Sequence, residues 1–117
     1  MSTTSTISSD RPLAALRIGP HTIDRPTLLA PMSGVSDLPF RRLAHDFGAG
    51  LVVSEMVASR ELISERPDVL RRATGRDLTP FVMQLVGYDP TWMAEGARIA
   101  ADMGADIIDI NMGCPAR

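Results

Sequence analysis

The C-terminal segment of the sequence contains a group suited to proton transfer. Cys114 is the only cysteine in the 117 residues and lies between Gly113 and Pro115, in a segment that the pattern places just after a strand. A cysteine thiol is ordinarily protonated at neutral pH and can donate a proton, whereas nucleophilic use requires a base close by. Because free cysteines are more often buried and inert, the sequence alone leaves catalytic and structural roles open.

Polar side chains also interrupt the two apolar stretches 81–86 and 107–111. Side chains alternate along a strand, so Asp109 and Asn111 share one face of the second stretch. Gln84 is opposite in phase to Met83 and Leu85 in the first stretch. An amide at Gln84 could pair with the edge of a flat heterocycle or be satisfied inside the core. Asp109 is more readily interpreted as a paired, structural carboxylate.

Methionine and arginine recur at positions that permit structural and functional interpretations. Methionine is a common core filler, but it could also form a soft apolar lining for a planar ring; the methionines near predicted strand ends are Met32, Met56, Met83 and Met112. Local arginine clusters are most simply interpreted as solvated helix faces; they comprise Arg41, Arg42, Arg71, Arg72 and Arg76.

The composition excludes several classes of function. Twelve basic residues against fourteen acidic ones give a net charge of -2, which argues against a module that holds nucleic acid by charge alone. One cysteine and two separated histidines provide neither a disulfide framework nor a pattern of metal ligands, so we expect no metal and a reducing compartment. The apolar runs are far shorter than the roughly 20 residues that cross a bilayer, so we expect no membrane partner.

The elements that must position these residues follow a regular order. Residues 1–15, which are rich in Ser and Thr at their start, are predicted to form a disordered tail. A short hairpin is predicted at 16–23, with its turn at Gly19 and Pro20. The pattern then predicts strands at 27–30, 51–54, 81–86 and 107–111, separated by a helix at 37–48, two helical pieces within 59–74 and a helix at 90–104.

This order predicts an α/β fold in which helical crossovers join parallel strands. A doubly wound sheet and a (β/α)8 barrel both fit the order, and the four strands would be half of such a barrel, which typically needs about 250 residues. In both folds ligands bind beyond the carboxyl ends of the strands. Cys114 and the polar residues before it lie at one of these ends.

Three segments of the sequence form a specific combination of motifs. They read Leu-Leu-Ala-Pro-Met-Ser-Gly-Val-Ser-Asp-Leu-Pro-Phe-Arg at 28–41, Ser-Glu-Met at 54–56 and Asp-Ile-Asn-Met-Gly-Cys-Pro-Ala at 109–116. Together with the strand that holds Gln84, this combination resembles the tRNA-dihydrouridine synthases, specifically their bacterial nitrogen-regulation-like branch. The resemblance implies that 16–117 is the N-terminal half, about four β/α units, of an FMN-binding TIM (β/α)8 barrel. The resemblance likewise implies that the C-terminal half of the barrel and the helical tRNA-binding domain of that family lie outside this chain.

The resemblance also implies an activity and the residues that perform it. Reduced FMN, recharged by NADPH, would pass a hydride to C6 of a tRNA uridine in the cytoplasm, and Cys114 would donate the proton to C5. Gln84 would hydrogen-bond the flavin ring, and Asn111 would contact flavin or uracil near Cys114. The full set of implied cofactor-binding residues is Pro31, Met32, Ser33, Gln84 and Asn111.

Two other functions stay open from the sequence. A related flavin barrel could reduce a free pyrimidine, as the dihydroorotate and dihydropyrimidine dehydrogenases act on free bases. The chain could also be a non-catalytic, incomplete segment, because half a barrel leaves strand edges unpaired. Each buried backbone group without a partner costs about 1 to 3 kcal/mol, so such edges weigh heavily against independent folding.

Overall fold

A computed structural model describes residues 13–116 of the chain. Most of the predicted tail lies outside the described residues, and 13–15 are exposed and without regular structure. The strands are β1 (Leu16–Ile18), β2 (His21–Ile23), β3 (Leu28–Leu29), β4 (Leu51–Val52), β5 (Val57–Ala58), β6 (Val82–Val86) and β7 (Ile107–Asn111). The helices are α1 (Leu38–Asp46), α2 (Ser59–Ile63), α3 (Pro67–Arg72) and α4 (Pro90–Asp102).

The parallel strands lie side by side in the order in which they occur along the chain. β3 pairs with β4, and β6 pairs with β5 on one edge and with β7 on the other. A parallel bridge between Val53 and Val82 joins these two short sheets. A doubly wound sheet reverses its strand order at a switch point, and the described strands show no such reversal. They form short parallel sheets rather than a closed barrel.

The second predicted strand is interrupted in the structure. Val53 lies opposite Val82 and Val57 lies opposite Leu85, so four steps along this segment match three steps along β6. One extra residue in one strand is the hallmark of a bulge. Within the predicted strand 51–54 the structure therefore has only the short strand β4 and the bridge at Val53, and β5 lies beyond the predicted end of that strand.

The two faces of β6 and β7 pack against different parts of the chain. Met83 and Leu85 of β6 are buried beneath the helices and pack with Ile108 of β7, which is partly buried. This confirms core filling rather than a ring-lining role for Met83. Val82 lies on the opposite face and packs with Ile23 of the hairpin at the N-terminal end of the strands. Side chains further along this second face therefore point away from the helices. The candidate site lies on this face, near the carboxyl ends of the strands.

Helices α1 and α4 begin and end close to their predicted limits. The carboxylate of Asp37 accepts a hydrogen bond from the N–H of Phe40 at 3.0 Å, so Asp37 is the N-cap of α1. Asp89 caps α4 in the same way. Gly48 and Gly104 follow the helices with φ of 103° and 94°, a conformation that glycine adopts without a Cβ penalty.

Two classes of feature are absent from residues 13–116. None of the helices described there combines the length and the apolar character needed to cross a membrane. The same part of the chain contains no cluster of three or more His, Cys, Asp or Glu side chains that could hold a metal ion.

Candidate active site

Asn111, the last residue of β7, holds the loop that carries Cys114. Its Oδ1 accepts hydrogen bonds from the N–H of Gly113 at 3.0 Å and from the N–H of Cys114 at 2.9 Å. An Asn side chain that bonds to backbone N–H groups two and three residues later fixes a turn locally. The loop therefore leaves β7 in a defined direction, and Cys114 is exposed at the end of the strand.

Gln84 connects this loop to the neighbouring strand. Its Nε2 donates to Oδ2 of Asp109 at 2.6 Å, and its Oε1 accepts from Nδ2 of Asn111 at 3.2 Å. A carboxylate only accepts hydrogen bonds, so Asp109 fixes which end of the Gln84 amide faces Asn111. The structural interpretation of Asp109 as a paired carboxylate is thus borne out by its contact.

The register of β6 and β7 explains why these three side chains meet. Gln84 lies directly opposite Asp109, and Val86 lies opposite Asn111. Gln84 is 7% exposed, so the hydrogen bonds of its amide replace those that water would make. Burial of a polar side chain is tolerated when its groups are paired in this way.

The predicted site residues Pro31, Met32 and Ser33 form a loop after β3. Ser36 closes this loop: its Oγ accepts from the N–H of Met32 at 2.7 Å and donates to the carbonyl oxygen of Met32 at 3.0 Å. Ser36 is fully buried, whereas Met32 is 40% exposed. Ser36 therefore fixes the loop from its buried side, whereas the side chain of Met32 is exposed.

The bulge between β4 and β5 joins this loop to Gln84. The carboxylate of Glu55, which is buried, accepts a hydrogen bond from the N–H of Gly34. The neighbouring Ser54 accepts from the N–H of Gln84 through its Oγ at 3.0 Å. Ser33, Gly34, Glu55 and Met56 together line a cavity of about 370 Å³. The bulge thus links the loop after β3, through Glu55, to Gln84 of β6, through Ser54.

Arg41 departs from its sequence interpretation. Its placement on a solvated helix face is wrong, because its side chain is only 1% exposed. Nε donates to the carbonyl oxygen of Ser36 at 3.1 Å, and Nη2 donates to that of Thr74 at 2.7 Å. Burial lowers the pKa of Arg41 because it disfavours the charge, while the nearby carboxylate of Glu55 acts in the opposite direction. Arg41 therefore anchors the loop that Ser36 closes.

The structure brings the predicted residues together in two groups. Gln84, Asn111 and Cys114 form one continuous hydrogen-bonded array. Pro31 belongs to the other group, in the loop after β3, and lines an apolar cavity of about 480 Å³ together with Asp109. Met56 lies between the groups, with its sulfur 3.9 Å from Nδ2 of Asn111. No direct hydrogen bond between the two groups occurs among the described residues.

Sequence patterns assigned no site role to Glu55, Ser36 and Arg41. Ser36 and Asp37 are both residue types that favour the N-cap of a helix, so residue type alone does not distinguish the side chain that closes the loop from the one that caps α1. Ser36 and Arg41 both lie within the segment 28–41 that carries the resemblance, and this was the one available signal that the loop needs special support. Glu55 follows a strand end, where polar residues signal a ligand face.

Comparison with known proteins gives a consistent result. Residues 28–117 match the family described as dihydrouridine synthase. A probable tRNA-dihydrouridine synthase of Rhizobium leguminosarum is 61% identical over 90 residues, which cover 77% of this chain and 28% of that protein. A probable tRNA-dihydrouridine synthase of Rhodobacter capsulatus is 58% identical over 98 residues, covering 81% and 30%.

A tRNA-dihydrouridine synthase B of Pseudomonas syringae is 50% identical over 106 residues, or 90% of this chain and 32% of that protein. The chain therefore spans about a third of the length of the curated relatives it matches. The family match covers most of the chain and includes both groups of site residues. This chain belongs to the dihydrouridine synthase family.

Proposed function

We propose that this chain supplies the first four β/α units of the (β/α)8 barrel of an FMN-dependent tRNA-dihydrouridine synthase. In that enzyme Cys114 is the proton donor. The observation that carries the proposal is the hydrogen-bonded array that joins Gln84 of β6 to Asn111 and Cys114 at the carboxyl end of the adjacent parallel strand β7. Strand ends of this kind are where barrel enzymes place their chemistry.

The strand arrangement supports the barrel. The order of the strands follows the chain without reversal, and the outer strands β3 and β7 each pair on one edge among the described residues. Leu28 on β3 and Ile110 on β7 are both exposed. A closed barrel removes such edges and covers such side chains. The part of the relatives that this chain does not match would supply the other strands and the helical tRNA-binding domain.

The residues at the strand ends fit a flavin. The two hydrogen bonds of Gln84 use its Oε1 and one hydrogen of its Nε2, which leaves one N–H free to donate to a carbonyl of a heterocycle. The apolar cavity beside Pro31 offers surface for a planar ring, and Met32 and Ser33 lie in the same loop. When bound, FMN supplies the hydride, received from NADPH, that adds to C6 of the uracil ring.

Cys114 and Asn111 perform the protein's part of the reaction. The thiol of Cys114 donates its proton to C5, so one hydride at C6 and one proton at C5 saturate the double bond between these carbons. Asn111 holds the backbone on which the thiol sits and so fixes the donor before the substrate arrives. A positioned acid of this kind typically contributes 10²- to 10⁴-fold to a rate.

The proposed substrate is a uridine in tRNA, in keeping with the names of the relatives. A base within a folded RNA must leave its stack to reach the thiol on the loop after β7. Because Cys114 is exposed at the end of β7, a base that has left its stack could reach the thiol. We place the enzyme in the cytoplasm, where tRNA is modified.

The proposal is tested in a chimaera that joins this chain to the part of the Rhizobium leguminosarum relative that follows the matched segment. We expect the purified chimaera to hold FMN and, with NADPH, to form dihydrouridine in tRNA. Reoxidation of the reduced flavin by a free pyrimidine instead of tRNA would support the pyrimidine-reductase alternative. A folded chimaera that binds no FMN would overturn the proposal.

A further inference from the structure

Arg60, Tyr88 and Trp92 form a cluster at the strand ends that the proposed chemistry does not use. The guanidinium carbon of Arg60 lies 4.8 Å from the centroid of the Trp92 ring, within the range of a cation–π contact. The rings of Tyr88 and Trp92 have centroids 5.9 Å apart and planes at 72°, an edge-to-face arrangement. The ring of Trp92 therefore contacts both the guanidinium of Arg60 and the ring of Tyr88.

Close packing of two helices builds this cluster. A Cβ at Gly96 of α4 would lie 3.0 Å from Cβ of Ser59 in α2, so glycine at this position lets the helices approach. Ser59 is buried in the contact and directly precedes Arg60. Trp92 lies one turn before Gly96 on α4. The approach of the helices thus brings the guanidinium over the indole.

The outer groups of the cluster are available to a ligand. Tyr88 is 63% exposed, and Arg60 is exposed. Within residues 13–116 the guanidinium of Arg60 has no carboxylate within ion-pair distance. Glu61 lies nearby, but its carboxylate pairs with Arg66 at 3.3 Å. The local cation is therefore free to meet an anion.

The cluster lines a pocket that extends to the residues directly after Cys114. The pocket has a volume of about 210 Å³, and its lining includes Arg60, Tyr88 and Trp92, the ion-paired Glu61, and Pro115 and Ala116 of the loop after β7. Sites that enclose a whole ligand usually begin near 300 Å³, so this pocket suits a single ring. Its position directly after Cys114 places that ring beside the proposed reaction centre.

We propose that this pocket binds one nucleotide of single-stranded RNA that neighbours the target uridine. The base stacks on the exposed ring of Tyr88, and Arg60 contacts a phosphate of the same segment. Trp92 is a positioning residue that fixes both. Unstacked bases in RNA are commonly held on aromatic rings with arginine beside them. The inference rests on the proposed function only in taking RNA as the substrate.

The test uses the full 117-residue chain, whose only tryptophan is Trp92. Short oligouridylate is titrated against it, and binding is followed by quenching of Trp92 fluorescence and, separately, by fluorescence anisotropy of a 5′-labelled oligomer. We expect saturable binding. Tyr88→Ala should weaken it by about tenfold or more, because loss of one stacked base costs roughly that factor. Arg60→Gln, which removes the proposed phosphate contact, should also weaken it by about tenfold or more. Tyr88→Phe retains the ring and should bind like the parent chain.

Two matched controls separate this pocket from general charge effects. Arg98→Gln removes an exposed arginine of α4 that pairs with Glu95 and should leave oligouridylate binding unchanged. An oligomer of the same length with abasic ribose phosphates should bind about tenfold more weakly than oligouridylate. The far-UV circular dichroism of each variant is compared with that of the parent chain, so that weakened binding is assigned only to folded variants.

Equal binding of the abasic oligomer would overturn the stacking role of Tyr88. Equal losses in Arg60→Gln and Arg98→Gln would overturn the pocket as the phosphate site, and an absence of binding by the folded parent chain would overturn the inference as a whole. Failure of the proposed reaction is recognised separately: a chimaera that binds RNA through this pocket without forming dihydrouridine would contradict the reaction alone.

Discussion

The side-chain oxygen of Asn111 accepts a hydrogen bond from the backbone N–H of Cys114, with 2.9 Å between the two atoms. The amide nitrogen of the same side chain donates to Gln84 at 3.2 Å. One side chain thus fixes the loop of the proposed acid and the amide proposed to hold the flavin. The position of the thiol depends on a strand rather than on the loop alone.

Replacing Asn111 should loosen the loop. Asn111→Ala removes the acceptor for the N–H groups of Gly113 and Cys114, and a hydrogen bond is worth about 1 kcal/mol net. We expect the amides of Gly113 and Cys114 to exchange with deuterium about fivefold faster in this variant. Asn111→Asp keeps the acceptor and should retain protection of both amides. Unchanged exchange in Asn111→Ala would show that the loop is held by other contacts.

A negative charge at Gln84 should destabilise the site in a pH-dependent manner. Oδ2 of Asp109 lies 2.6 Å from Nε2 of Gln84. Gln84→Glu therefore places a second carboxylate against that of Asp109, and facing carboxylates repel. We expect a loss of roughly 1 to 3 kcal/mol at pH 7 and a smaller loss at pH 5, where one of the pair takes up a proton. Gln84→Met serves as the uncharged control, and its urea midpoint should change little between the two pH values. A loss in Gln84→Glu that is equal at both pH values would contradict the contact.

Ser36 should matter far more for stability than another serine with a similar bond. Ser36→Ala leaves the N–H of Met32 without its buried partner, at a cost of about 1 to 3 kcal/mol. Ser64→Ala removes a hydroxyl that donates to a carbonyl at 3.0 Å on the exposed surface and should stay within about 0.5 kcal/mol of the parent. Urea unfolding followed by Trp92 fluorescence measures both, and equal midpoints would argue against the closed loop.

Arg41→Lys should lower the free energy of unfolding far more than Arg42→Lys. Arg41→Lys cannot reach both carbonyl oxygens that the guanidinium contacts, and we expect a loss of about 2 kcal/mol or more in the free energy of unfolding. Arg42→Lys alters an exposed ion pair with Asp77 and should have a much smaller effect. A tolerated Arg41→Lys would mean that its two carbonyl contacts contribute little.

Sequence pattern predicted the elements well because their signals are local. Alternation identified β6 and β7, proline and aspartate identified the starts of α1 and α4, and glycines with positive φ marked where these helices end. The placement of Gln84 on the face opposite Met83 followed from the same alternation. Alternation predicts which face of a strand a residue occupies, and that was enough to separate Gln84 from Met83 and Leu85, which pack beneath the helices.

The features that local pattern missed depend on distant partners. Arg41 looks like a surface residue until Thr74, 33 positions later, is folded against it. The bulge between β4 and β5 depends on how that segment pairs with β6, and no residue type within 54–56 announces it. Arg60 and Trp92 meet only because α2 and α4 pack closely at Gly96. These contacts are set by tertiary packing, which no single window of sequence contains.

The proposed role of Cys114 is tested most directly by the rate of dihydrouridine formation in the chimaera with Cys114→Ala. The account predicts a fall of 10²-fold or more at saturating tRNA, with FMN content and tRNA affinity unchanged, since the side chain of Cys114 makes none of the hydrogen bonds that hold the described loop. Formation of dihydrouridine at the rate of the unsubstituted chimaera would contradict it.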